Sequence, residues 1–159
     1  MENKKVMIEV ENFGNIEVEL FEDIAPITVK NFCNLVENNF YNKLTFHRVV
    51  KGFMIQGGCP KGNGTGGSTN QIKGEFSSNG IKNDLKHNRG IISMARSSMP
   101  NSASSQFFIM HHDSPYLDGQ YASFGRVVSG MEVVDKIADS RVGGSDKPLE
   151  KIVFSIRFI

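Results

Sequence analysis

Apolar and polar residues alternate at both ends of this chain. Val6, Ile8 and Val10 recur at every second position, and after Asn12-Phe13-Gly14-Asn15 the same beat returns as Ile16, Val18 and Leu20 against Glu17 and Glu19. A period of two turns one strand face toward a core and the other toward water, and the turn residues between the runs predict an antiparallel hairpin. Ile152, Phe154, Ile156 and Phe158 keep the period at the far end, and a terminal strand this apolar needs a sheet neighbour. Shorter strands are expected over 45–50, 53–56, 91–95, 106–110 and 122–128, separated by glycine-rich and polar loops.

Two stretches carry the helical period instead. Pro26 suits a first helical position, and Val29, Phe32, Cys33 and Val36 then follow i, i+3, i+4, i+7 spacing. After Gly130, residues 131–139 place Val133, Val134, Ile137 and Ala138 on a second apolar stripe. Many short strands and two amphipathic helices predict a mainly β fold, a closed antiparallel barrel with helices over its open ends, because closure removes sheet edges. A sandwich satisfies the pattern nearly as well. Residues 57–70, dense in glycine and poor in apolar side chains, are expected to form a long surface loop.

Composition narrows the function classes. The 159 residues fit one domain, 1–159, with a sizeable core. Eighteen basic against seventeen acidic residues, a net charge of +1, give no electrostatic case for nucleic acid or an acidic membrane. Met1-Glu2-Asn3-Lys4-Lys5 runs straight into the alternating pattern without a signal-peptide core, and no apolar stretch is long enough to span a bilayer, so a cytoplasmic location is expected. Cys33 and Cys59 lie far apart in neither a CxxC nor a ligand cluster, which predicts reduced thiols.

Several motifs carry little chemistry. Gly62, Gly64 and Gly67 spell G-x-G-x-x-G, yet no helical pattern follows and no βαβ unit surrounds them. His111-His112-Asp113 offers metal-ligand types, but adjacent residues on an extended chain point opposite ways, so polar residues at a strand end are the simpler account. The serines between 97 and 105 have neither a nucleophile elbow nor an obvious base. No metal or cofactor is called for.

One segment stands out: Phe46-His47-Arg48-Val49-Val50-Lys51-Gly52-Phe53-Met54-Ile55-Gln56-Gly57-Gly58. With Ile92-Ser93-Met94-Ala95 leading to Ser105-Gln106-Phe107-Phe108-Ile109, and Leu117-Asp118-Gly119 leading to Phe124-Gly125-Arg126-Val127, it resembles the cyclophilins in order and spacing over nearly the whole chain. The resemblance implies an eight-stranded antiparallel barrel closed by two helices, and a monomeric peptidyl-prolyl cis-trans isomerase acting on proline-containing polypeptides. It implies Arg48 as the catalytic donor, with Phe53, Met54, Phe108 and Leu117 around the proline ring. Gln56 and Gln106 would hold substrate backbone or orient Arg48, and Ala95, Arg96, Tyr116 and Tyr121 would complete the binding set. His47 is left as structural.

Strand phase agrees in part. Met54 and Gln56 share a face, as do Gln106 and Phe108, whereas Phe53 falls on the opposite phase and needs a bend at Gly52. Plain core packing is the competing account of these residues; an arginine amid apolar neighbours weighs against it, since a buried unpaired charge is costly. A proline-peptide binding module with little turnover is the alternative function. Tyr116 and Tyr121 stand where the best-known members have tryptophan and histidine, which implies weaker binding of cyclosporin-type inhibitors. Arg96 stands in place of an asparagine, which puts the preference beside the proline in question.

Overall fold

The computed structural model describes residues 3–159, so Met1 and Glu2 of the N-terminal run lie outside the described residues. The expected hairpin forms from β1 (Lys5–Val10) and β2 (Gly14–Leu20), with Val6 opposite Val18 and Ile8 opposite Ile16. The remaining strands are β3 (Leu44–Thr45), β4 (Arg48–Val50), β5 (Met54–Gly57), β6 (Ile91–Met94), β7 (Phe107–Met110), β8 (Ser123–Ser129) and β9 (Val153–Phe158). All pair antiparallel in one sheet of order β3-β9-β1-β2-β8-β6-β7-β5-β4, which excludes a two-sheet sandwich.

The closed eight-stranded barrel is not what forms. The stretch expected to be one strand over 45–50 divides, because β3 pairs with β9 while β4 pairs with β5. The Phe46 N–H still donates to the Ile152 carbonyl at 3.0 Å, and two residues later Arg48 sits opposite Gln56. A ladder cannot stay continuous through such a change of partner, so the sheet counts nine strands and is open at Phe46-His47. Its two edges are nonetheless consecutive pieces of chain, with Thr45 and Arg48 no more than about 11 Å apart at Cα, and the sheet must curl strongly to bring them there.

The helices form close to where the spacing puts them: α1 (Pro26–Glu37) and α2 (Met131–Ala138). Ala25 at the N-cap of α1 offers no side-chain acceptor. The carboxylate of Glu75, buried and 47 residues away, takes its place, accepting from the Thr28 N–H at 2.6 Å and hydroxyl at 2.7 Å. A carboxylate there satisfies an orphan donor and suits the positive end of the helix. Among the described residues no helix is long and apolar enough to cross a membrane.

Alternation along the strands creates two cores. Phe107 and Ile109 of β7, Ile55 of β5 and Ile92 of β6 join the stripes of both helices and the rings of Phe32, Tyr41, Phe46 and Phe154 in the main core. Phe108, Met110, Met54 and Ile91, on the opposite face of the same strands, form a smaller cluster with Leu117. The loop expected over 57–70 is irregular from Gly58 onward, but Gly57 ends β5, and Gly57, Gly58 and Cys59 are buried. A Cβ on Gly57 would lie 2.8 Å from the Thr45 carbonyl, so β5 approaches that segment too closely for a side chain.

Candidate active site

Over the smaller cluster lies a cavity of about 170 Å³ that gathers nine of the expected site residues. Arg48 and Gln56 face each other across the β4–β5 register, and Gln56 is in turn opposite Phe108 on β7. Met54, Phe108 and Leu117 supply apolar wall from the cluster, Phe53 and Tyr121 pack against it, and Ala95 and Arg96 complete the lining. This volume lies below the range of about 300–1,000 Å³ common for small-molecule pockets, and suits one side chain.

The polar groups form a directed chain. Arg48 donates to Oε1 of Gln56 at 3.3 Å, Nε2 of Gln56 donates to Oε1 of Gln106 at 2.9 Å, and Nε2 of Gln106 donates to the carbonyls of Gly64 and Gly66 at 2.9 and 2.8 Å. Each amide has a carbonyl or a cation at one end, so the orientation of both is fixed by their partners. Arg48 takes part in none of the ion pairs found among the described residues. Its guanidinium therefore reaches the cavity with one long hydrogen bond and unused donors.

Phe53 gets there by the expected bend. It precedes β5 in a turn whose Gly52 has φ +80°, where a glycine avoids the Cβ penalty. His111 pins that turn: its Nδ1 accepts from the Gly52 N–H at 2.9 Å, its own N–H donates to the Phe53 carbonyl, and its Nε2 lies 3.1 Å from Asp135 of α2. The His111-His112-Asp113 run is thus a brace for the cavity wall.

A buried polar group backs the opposite wall. His87 is enclosed, with Nδ1 3.0 Å from Asp118, Nε2 2.9 Å from the Ser93 hydroxyl, and its ring stacked on Phe108 at 6.0 Å. Burial lowers its pKa, with Asp118 opposing, so the neutral ring donates from Nδ1 to Asp118 and accepts from Ser93. The adjoining residues Leu117 and Phe108 are cavity wall, so this triad fixes the pocket from behind. Nothing in the sequence pointed to it, since His87 sits in an irregular stretch and Ser93 reads as an ordinary strand residue.

Two expected residues lie outside the cavity. Gln106 borders it only through Gln56, and Tyr116 is 69% exposed on the rim with its ring 6.0 Å from that of Phe53. Arg96 is present but occupied: its guanidinium lies between the rings of Phe76 and Tyr121, at 4.8 and 4.7 Å, and donates to the carbonyls of Gln120 and Ser97. It acts as a fixed partition between this cavity and a groove of about 340 Å³, which shares Gln56, Ala95 and Arg96 and continues past Gly64, Thr65, Ser102 and Ser104. Of the G-x-G-x-x-G glycines, Gly64 and Gly67 therefore line the groove wall, and Gly64 and the nearby Gly66 offer carbonyls to Gln106.

The sequence profile described as "Cyclophilin type peptidyl-prolyl cis-trans isomerase/CLD" matches residues 5–156. The chain belongs to this family. It is 45% identical over 142 residues to a peptidyl-prolyl cis-trans isomerase of Arabidopsis thaliana, spanning 89% of this chain and 87% of the relative. Identity is also 45% over 146 residues to a peptidyl-prolyl cis-trans isomerase of Helicobacter pylori, covering 91% and 83%. Among solved structures, a cyclophilin-type isomerase of Cryptosporidium parvum superposes with a TM-score of 0.90 at 34% identity over 99% of this chain and 98% of that one. The same protein crystallised in the presence of the dipeptide Ala-Pro gives 0.89 at 35% over 98% of each. This cyclophilin is an isomerase of X–Pro peptide bonds.

Proposed function

We propose that Arg48 is the catalytic residue, that Phe53, Met54, Phe108 and Leu117 hold the proline ring, and that Gln56 and Gln106 orient the guanidinium and meet substrate backbone. The observation carrying this is an arginine with no ion-pair partner among the described residues at the edge of a small cavity walled on one side by Phe53, Met54, Phe108 and Leu117. Amide resonance gives the X–Pro bond a rotational barrier of about 18–20 kcal/mol. No bond is broken, so no nucleophile is required. In the twisted state the nitrogen regains its lone pair and the amide loses charge separation; a guanidinium donating to that nitrogen, and an apolar wall beside it, both favour that state over the planar one. Arg48 suits the role because it stays charged and holds its donors in a fixed fork. Ala95, Arg96 and the two tyrosines line the path of the flanking residues.

Replacing Arg48 by alanine is expected to lower kcat/KM for a proline peptide by about a hundredfold or more, the scale of losing one transition-state donor. Exchange spectroscopy or a protease-coupled assay reads this directly, and unchanged exchange would refute the assignment. Cyclosporin-type inhibitors bind weakly in this reading, since Tyr116 and Tyr121 replace the rim's tryptophan and histidine. Two free, buried thiols support a reducing, cytoplasmic setting.

A further inference from the structure

Two grooves leave the Arg48 cavity, and their chemistry differs. The groove beyond Arg96 is lined by glycines, hydroxyls and amides, and its one charged group, Arg96, is already taken by carbonyls and two rings. On the other side, Arg48 and Gln56 also border a trough that runs past His47, Asn63 and Gly64 to the turn at Gly144–Asp146 and Lys147. That trough shares His47 and Lys147 with a further cavity of about 260 Å³ whose lining includes Lys43, Lys61, Lys147 and Lys151.

The charge balance there is one-sided. Lys43 is paired with Glu11 at 2.6 Å, whereas Lys61, Lys147 and Lys151 take part in none of the ion pairs among the described residues. Asp146 is the one carboxylate in the lining of either cavity. His47 lies between the two cavities, with its Nδ1 buried and without a hydrogen-bond partner. Burial and the charges of Arg48 and Lys147 lower its pKa, so it stays neutral and the positive charge of the trough comes from Arg48 and the lysines.

We propose that a polypeptide seated at Arg48 extends on one flank into this lysine trough, so that X–Pro bonds with Asp or Glu on that flank are turned over faster than those with neutral residues. The proposal rests on the assignment of the Arg48 cavity as the proline site. Lysines that line the trough and the cavity adjoining it with no ion-pair partner among the described residues raise the local concentration of an acidic segment and slow its release. Apart from Arg96, whose guanidinium is held between two rings and bonded to carbonyls, the other flank meets neutral donors and acceptors, so a preference of this size is confined to one side of the proline.

The test is a set of peptides around one Ala-Pro bond, with a single Glu walked along each flank and Gln as its neutral match. The kcat/KM is measured by exchange spectroscopy at about 0.02 M and about 0.5 M salt. The Glu/Gln ratio is expected to rise about threefold to tenfold at low salt for positions on one flank only, the scale of a few exposed ion pairs, and to fall toward one at high salt. In a variant carrying Lys61→Ser, Lys147→Ser and Lys151→Ser, whose positions are all exposed, the ratio collapses to about one. A ratio near one on both flanks at low salt overturns the proposal, as does a preference that survives the triple variant. Arg48→Ala separates the two assignments: it should depress both peptides alike, and if it leaves both untouched the proline-site assignment fails first.

Discussion

The two faces of β5, β6 and β7 are built from neighbouring residues and do opposite work. On the inner face Phe107, Ile109, Ile55 and Ile92 meet helices and aromatic rings, and the rings of Phe32, Tyr41, Phe46 and Phe154 lie within 6.2 Å of one another or of Phe107. On the outer face Phe108, Met54 and Leu117 are threaded with polar groups: Arg48, Gln56, His87 and Ser93. The inner face spends its burial on stability. The outer face keeps an arginine lightly bonded and a histidine neutral, an arrangement that costs stability and leaves donors free for the proposed site. A single residue's step along β7 separates the two roles.

Phe107 and Phe108 sharpen this contrast most. Phe107→Ala should cost about 3–5 kcal/mol, the range for an aromatic truncated in a packed core, and a large fraction of a domain's total stability. Phe108→Leu should leave the denaturation midpoint much closer to wild type while kcat/KM falls. Equal stability losses from the two substitutions, with equal activity per folded molecule, would erase the distinction between the faces.

His87 comes next, because it belongs to both ledgers. His87→Ala strands Asp118 and Ser93 and removes the ring behind Phe108, with an expected loss of roughly 2–3 kcal/mol together with reduced kcat/KM in the fraction that remains folded. Gln56→Leu acts on the site alone. It cuts the chain from Arg48 to Gln106 and should lower kcat by about tenfold through misplacement of the guanidinium, with little change in the urea midpoint.

The smallest expected effect is a pH dependence of stability. Burial lowers the pKa of both His87 and His47 below the ordinary value near 6.5. Between that value and the folded-state pKa the unfolded chain binds more protons, so stability is fully present above about pH 6.5 and declines as pH falls below it. Glu19 and Asp135, whose carboxyls are lowered by Asn3 and by Arg89 respectively, add their own loss only at more acid pH. Urea melts between pH 7.5 and pH 5.5 therefore isolate the histidines, and midpoints that stay flat or rise on acidification over that interval would count against their neutral burial.

Much of this arrangement was legible along the chain. The hairpin, the helix from Pro26 and the stripe after Gly130 follow from local period and turn chemistry, which act over a few residues. Resemblance, and not spacing, singled out Arg48, Phe53, Met54, Phe108 and Leu117, and the fold brings all five to one cavity. Tyr116 and Gln106 ended outside it because a 3₁₀ turn at Pro115–Leu117 leaves Tyr116 on the rim and Gln106 falls just before β7. The break at Phe46-His47 escaped the pattern, since Thr45 to Val50 looks like one strand until its two halves find different partners.

The sequence by itself determined where strands and helices lie and which side of each strand is apolar, because side-chain period is a property of neighbouring residues. Only the tertiary structure decided that His87 stands behind Phe108, that Glu75 caps a helix 47 residues away, and that Lys61, Lys147 and Lys151 border cavities joined to the one holding Arg48. Those are contacts between segments with no local rule linking them. The lysine-bordered cavities join the one at Arg48 because the sheet curls its two edges onto one stretch of chain, gathering there loops that the sequence leaves far apart.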